Sequence, residues 1–229
     1  TALGIRVEPL TLVTGHRSGQ VHVVDVVSGV AKTIRAHPAS VGAVALGPTA
    51  FVATGGAGVS NDLGRSTMRR DNDAAVRIWA LDTGRQVHEL PAFASGVRAL
   101  RFSEDGRWLL AGSEHGEVAG LDLRYSQSMG MRPASGGGST VAFDSSGLRC
   151  LIAHEGSVGL FDTVTGGSSF PTPNTGEGLN VLAVSSVAGV LAAGSTDSTV
   201  HLFDAKTLDG LGQLRGHDLY VSGLAFTRD

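Results

Sequence analysis

The stretch AAVRIWALDTG, Ala74 to Gly84, decides how this chain folds. It reads as a short apolar strand entered at Val76 and closed by the turn pair Thr83-Gly84, where glycine can take positive φ without a Cβ penalty. One such strand would mean little, but the form returns. GQVHVVDVVSG (Gly19 to Gly29), GEVAGLDLR (Gly116 to Arg124), GSVGLFDTVTG (Gly156 to Gly166) and STVHLFDAKTL (Ser198 to Leu208) share it. Their leading valines are Val21, Val118, Val158 and Val200. From Val76 onward the steps are about 40 to 42 residues, a period that marks a repeat architecture. The first step is longer by about a dozen residues, which the Gly56 to Asn72 stretch supplies.

Outward from each of these strands lies a second apolar run: TLVTG, FVATGG, WLLAGS, RCLIAH and VLAAGS. A third precedes it in most units: VGAVALGP, VRALRFSEDG, STVAFDSSG, NVLAVSSVAG and, last, VSGLAFTRD. RQVHEL (Arg85 to Leu90) and LGQLRGH (Leu211 to His217) supply a weaker fourth, whereas Arg124 to Ser139 reads as a degraded one. The runs are short and bounded by Gly, Ser, Asp or Pro, as hairpin strands are. No stretch sustains a helical apolar stripe. Many strands are apolar on both faces, which suits sheets stacked between neighbours rather than washed by solvent. Four-stranded antiparallel units at this interval predict an all-β chain of β-propeller blades. The repeats centre on 11–36, 41–91, 97–124, 139–166 and 180–216, with 221–229 beginning or closing a further blade.

Composition bounds the function. The 33 glycines are about twice average usage, as a chain of many turns requires. A formal charge of −3 offers no basic footprint for nucleic acid. No apolar run approaches the ~20 residues that span a bilayer, so no membrane insertion is expected. The single Cys150 supplies no disulfide framework and fits a reducing, cytoplasmic compartment.

These repeats resemble the WD-repeat family over nearly the whole chain. The resemblance implies a buried hydrogen-bond network, which carried over residue by residue is His37, Thr54, Asp73 and Trp79. In the fifth unit Ser195 and Asp197 match, Phe203 stands in place of Trp, and Gly216-His217 would open the next unit. The signature Trp occurs once; the other units carry Val24, Leu121, Phe161 and Phe203 there. Ser18, His115 and Glu155 replace the network Asp in the first, third and fourth units. Family members mostly close at seven blades, so the five units are expected to be part of such a larger ring; five blades closed by VSGLAFT is the alternative. The resemblance also implies partner contacts from loop positions, here Asn72, Thr196 and Tyr220.

The Gly56 to Asn72 stretch carries Arg65, Arg69 and Arg70 beside Ser66 and Thr67. A loop of this length in a compact domain is functional or disordered, and phosphate beside arginines can order one. Elsewhere the chemistry is thin. The histidines form no H-x-x-x-H, and Gly55-Gly56-Ala57-Gly58 lacks the Lys-Ser/Thr and helix of a phosphate loop. No G-x-S-x-G elbow occurs, and Glu104-Asp105 sits in a hairpin tip. The expectation is a non-enzymatic scaffold that binds proteins or peptides, with no cofactor and no metal. A structural array within a longer multi-propeller protein is the alternative, and a ligand-binding or enzymatic propeller a distant third.

Overall fold

The computed structural model describes residues 2–6, 10–48, 50–58, 73–90, 93–115, 117–131, 140–143, 149–154, 156–162, 168–169, 172, 174–185 and 187–227. Among them are twenty strands in five four-stranded antiparallel sheets, and no helix. Sheet A holds β1 (Ala2–Arg6), β2 (Thr11–Gly15), β3 (Gln20–Asp25) and β4 (Ala31–Arg35). Sheet B holds β5 (Val41–Leu46), β6 (Phe51–Gly56), β7 (Val76–Ala80) and β8 (Gln86–Leu90). Sheet C follows with β9 (Val97–Phe102), β10 (Trp108–Ser113), β11 (Val118–Asp122) and β12 (Gln127–Met131). Sheet D has β13 (Thr140–Phe143), β14 (Arg149–His154), β15 (Ser157–Asp162) and β16 (Ser168–Ser169). Sheet E has β17 (Leu179–Ser185), β18 (Val190–Ser195), β19 (Val200–Asp204) and β20 (Gly210–Leu214).

The chain divides into two units. The first comprises 1–114 with 121–128, the second 115–120 with 129–229. Within the first, Val13, Val21 and Val23 of sheet A pack on Val44, Val52 and Trp79 of sheet B. The other face of sheet B sets Ala53, Val76 and Ile78 against Leu100, Leu109, Ala111 and Leu121 of sheet C. Within the second, Leu151, Ala153 and Val158 of sheet D pack on Leu182, Leu191, Ala193 and Phe203 of sheet E. Each sheet is therefore a blade, covered by its neighbour because its own strands are apolar on both faces. The fit depends on close approach. A Cβ at Gly55 would run into Val97, and one at Gly194 would meet both Val221 and Val181 within 3 Å.

The Asp that ends the third strand does local work. Asp25 Oδ1 accepts from Val27 N and Ser28 N, each at 2.9 Å. Asp204 Oδ1 accepts from Lys206 N and Thr207 N, each at 2.8 Å. These side chains hold the turn that T-G or S-G then closes. Leu208 occupies the glycine position of the last such turn at φ 62°, and burial of its side chain in the sheet D–sheet E core offsets that backbone cost. In sheet C the Asp keeps this turn bond and adds a partner: Asp122 Oδ1 accepts from Arg124 N at 2.9 Å, while Oδ2 receives Arg107 Nε at 3.0 Å and Nη2 at 2.7 Å. The Arg107 guanidinium also lies 5.3 Å from the Trp108 ring centroid and 5.8 Å from that of Tyr125.

Two expectations change. The inner strand of the first sheet is β1, in a segment with no repeat signal, and it pairs β2 from Ala2↔Gly15 to Arg6↔Thr11. With β2 flanked by β1 and β3, the Val221 to Thr227 segment does not supply the inner strand of that sheet. Second, the stretch read as a degraded strand contains β12, which completes the ladder beside β11. Val221 to Thr227 joins no ladder among the described strands, while Val221 is buried and its N–H donates to Ser195 O at 3.0 Å. A strand is assigned only where a neighbour satisfies its backbone, whatever its side chains prefer.

Sheet D has a short fourth strand, and a side chain supplements it. Thr172 Oγ1 accepts from Val158 N at 2.6 Å and donates to Val158 O at 3.1 Å. Thr172→Val keeps the shape and removes both bonds, leaving two buried backbone groups unpaired. A loss of about 1 to 3 kcal/mol is expected, read as a lower urea midpoint at unchanged m-value. An unchanged midpoint would show that the Thr172 hydroxyl does not stand in for the missing backbone pairing.

Candidate functional site

Four side chains from three parts of the first unit converge on sheet B. Thr54 lies on β6 opposite Arg77 of β7, and Trp79 follows two residues on along the same face. Asp73 sits just before β7. His37 arrives from the link between sheets A and B, where the N–H groups of Ala36 and His37 both donate to Gly19 O at 3.0 Å.

The distances define a directed chain. Trp79 Nε1 donates to Thr54 Oγ1 at 3.0 Å, and Thr54 Oγ1 lies 2.9 Å from His37 Nε2. His37 Nδ1 lies 2.8 Å from Asp73 Oδ2, which also receives Arg77 Nη1 at 2.7 Å. The ionised Asp73 carboxylate can only accept, so the imidazole proton sits on Nδ1 facing it; Nε2 then accepts, and the Thr54 hydroxyl, which accepts from the indole, turns its own proton to Nε2. Nη1 of Arg77 lies 2.7 Å from Nδ1 as well, but in this tautomer its proton goes to Asp73 and to Ala36 O at 3.2 Å. Every polar group in the chain then has a partner in an interior where an orphan would be costly.

Burial pushes the His37 imidazole below its ordinary value, and the Asp73 carboxylate only partly offsets it. Burial alone would raise Asp73; hydrogen bonds from Arg77 and His37 outweigh it and hold the carboxyl below its ordinary value. Both folded values lie under the unfolded ones, so the unfolded chain binds more protons as pH falls. Their stabilisation is whole above about 6.5 for His37 and about 3.8 for Asp73, and is lost as pH drops through each folded value. The thermal midpoint should therefore fall between pH 7.5 and pH 5, and His37→Gln should flatten that fall. An equally steep fall in the variant would assign the pH dependence to other groups.

Arg77 was not anticipated. Its signal was available, since a residue cross-strand from Thr54 shares the Thr54 face.

The fifth-unit assignment needs correction. Thr54 pairs Val44 and Arg77, and the matching register position in sheet E is Ala193, which pairs Leu182 and His201. Ser195 pairs Leu179, as Gly56 pairs Val41. Ser195 is fully buried, and its Oγ accepts from Asp197 N at 3.3 Å in a local turn. Asp197 Oδ1 accepts from Thr199 N at 2.9 Å. Sheet E therefore does not repeat the network of sheet B. His217 is exposed, Tyr220 is 61% exposed, and Thr196 is exposed with its hydroxyl 3.4 Å from Glu177 Oε2. Arg65, Arg69, Arg70 and Asn72 lie outside the described residues. Among the described residues no group of three or more His, Cys, Asp or Glu side chains could hold a metal. Among the described residues no helix is long and apolar enough to cross a membrane.

The family model for the WD domain, G-beta repeat, matches residues 84–119. Together with four-stranded blades recurring at one period, that match supports the WD-repeat family. This chain carries WD-type repeats. Nuclear distribution protein PAC1 of Arthroderma otae is 28% identical to it over 195 residues, which are 85% of this chain and 37% of that protein. Nuclear distribution protein PAC1 of Coccidioides posadasii is 31% identical over 199 residues, 85% of this chain and 36% of that protein. The chain thus spans a little over a third of the length of the curated relatives it matches. Among solved structures, the computationally designed Ika8 protein superposes with a TM-score of 0.77 over 99% of this chain and 65% of that one. At 21% identity that likeness concerns fold alone. In this WD-type chain the family match opens at Gly84, the last residue of the Ala80 to Gly84 turn, whose N–H donates to Ala80 O at 2.7 Å.

Proposed function

We propose that this chain is a protein- or peptide-binding scaffold with no catalytic step of its own. The observation that carries the reading is a division of labour. The described polar network of sheet B is turned inward and stiffens a blade, while turn residues such as Thr196, Leu219 and Tyr220 stand exposed. Rigid blades presenting variable turns suit recognition, because loops carry function where scaffolds carry packing. The relatives are named for nuclear distribution. Membership of a cytoplasmic multiprotein assembly is the finer form of this proposal. The Gly56 to Asn72 stretch, with Arg65, Arg69, Arg70 and Asn72, is a second proposed contact region alongside Thr196 and Tyr220.

A repeat array extending beyond sheet E is favoured by one packing detail. Val41 N donates to His16 O at 3.0 Å while Val41 packs on Gly15; Val221 N donates to Ser195 O at 3.0 Å while Val221 packs on Gly194. Val41 begins the inner strand of sheet B, so Val221 sits as the start of an inner strand would.

Affinity capture with the tagged chain tests the scaffold reading. A partner at near-unit stoichiometry is expected, with its recovery reduced by deleting 57–71 or by Thr196→Glu with Tyr220→Ala. Recovery of no stoichiometric partner would sink the scaffold, whereas a partner indifferent to both variants would sink these contact assignments.

A further inference from the structure

Within the second unit, one end of sheet E gathers acidic and apolar side chains. Thr196 N donates to Gly178 O at 2.9 Å, and its hydroxyl reaches Glu177 Oε2 at 3.4 Å, which sets Glu177 beside the β18–β19 turn containing Asp197. The Val221 N–H to Ser195 O bond brings the Asp218 to Tyr220 turn to the same end. Glu177, Asp197 and Asp218 are all exposed, and among the described residues no Lys or Arg makes an ion pair with any of them. Next to them Leu219 is 73% and Tyr220 61% exposed. Arg215, in the adjoining segment, donates to Gln213 Oε1 at 3.1 Å, and His217 is exposed.

A second observation points to something missing here. The His201 side chain is only 9% exposed, and its Nε2 has no hydrogen-bond partner among the described residues. That nitrogen faces Asp197 Oδ2 at 4.0 Å, beyond hydrogen-bond reach. Its other ring nitrogen lies 3.4 Å from Gln213 Nε2. In sheet B the matching position is Arg77, whose guanidinium closes onto Asp73 at 2.7 Å. In sheet E the shorter imidazole leaves the gap open, so Asp197 keeps an oxygen that nothing positively charged has closed on.

We propose that this end of sheet E is the docking surface for a cationic peptide segment. An Arg or Lys side chain of that segment sits among Glu177, Asp197 and Asp218, and an aliphatic neighbour packs on Leu219 and Tyr220. The inference rests on the scaffold reading and names the chemistry of the partner. Charge complementarity selects the occupant: three carboxylates with no Lys or Arg partner among the described residues favour a cation and steer its approach. Tyr220 adds an aromatic face for that cation and an amphipathic anchor of the kind that dominates binding energies. A polar group of the bound peptide would also serve the His201 nitrogen that the free protein leaves unpaired.

The test is fluorescence anisotropy of the whole 229-residue chain with a labelled peptide carrying two arginines around a leucine. Its control replaces both arginines with glutamate. Saturable binding of the arginine peptide is expected, weaker at about 300 mM than at about 50 mM salt. Glu177→Gln and Asp218→Asn should each weaken it about 5-fold, and Tyr220→Ala about 10-fold. All three positions are exposed, so unchanged thermal midpoints would separate lost binding from lost folding. Absence of saturable binding, equal binding of the glutamate peptide, or unchanged affinity in the charge-neutral variants would each overturn the proposal. So would calcium binding that competes with the peptide and is lost in the same variants, since the cluster would then be a metal site. Should affinity capture still return a stoichiometric partner from Glu177→Gln and Asp218→Asn together, the scaffold reading stands and only this surface falls.

Discussion

Asp73→Ala is expected to destabilise the first unit by about 1 to 3 kcal/mol, the cost of leaving buried donors without their acceptor. The carboxylate is the one acceptor shared by His37 Nδ1 and Arg77 Nη1, at 2.8 and 2.7 Å. Its removal strands an imidazole whose side chain is fully buried and a guanidinium that is 18% exposed. The damage should propagate along the chain of bonds, because a tautomer no longer held by Asp73 need not accept from Thr54. Trp79, at the far end, reports it directly: its fluorescence should shift toward that of exposed indole at lower urea than in the parent. Asp73→Asn retains an acceptor oxygen and should recover part of the loss. A parent-like urea midpoint for Asp73→Ala would mean that the network adds nothing net over its hydration in the unfolded chain.

The second large effect is expected at Gly19. This residue lies at φ 77° in the β2–β3 turn, and a Cβ there would collide with the carbonyl oxygens of His37 and Ala39. Both carbonyls are backbone, so neither can swing aside. Gly19→Ala therefore combines left-handed backbone strain with a displacement of the segment that carries His37, and a loss of about 3 kcal/mol or more is expected. Because Gly19 O also holds the N–H groups of Ala36 and His37, the variant should speed amide exchange at these two residues. Gly29 is the control. It has φ 72°, and a Cβ there would meet nothing within 4 Å, so Gly29→Ala should carry the strain alone, about 1 kcal/mol. Equal losses at the two sites would discard the collision with the His37 segment.

Much of the fold was legible because its signals are local. Val21, Val76, Val118, Val158 and Val200 each open a strand or stand one residue inside one, since short β-branched runs between turn residues have few other ways to satisfy their backbone. The segments that escaped are those whose structure is imposed from outside. Ala2–Arg6 carries no turn signature, and Gln127–Met131 mixes Ser, Gly and Met; each becomes a strand because a neighbour supplies its hydrogen bonds. The Ser195 assignment slipped by two residues for a related reason. A two-residue shift along a strand keeps the same face, so pattern alone does not separate Ala193 from Ser195, whereas the ladder register does.

The sequence by itself determined the class of architecture: many short strands, one period, sheets apolar on both sides, and hence blades that must be covered by other blades. It also placed His37, Thr54, Asp73 and Trp79 as a set, through likeness to a known repeat. Only the tertiary structure decided which polar groups meet. His37 and Asp73 stand 36 residues apart and touch because two sheets stack; Arg77 joins them because it lies cross-strand from Thr54. Likewise His201 falls short of Asp197 by geometry that no spacing reveals. Periodicity acts between neighbours along the chain, while hydrogen bonds of about 3 Å depend on register and on packing between sheets, which are settled only when the blades come together.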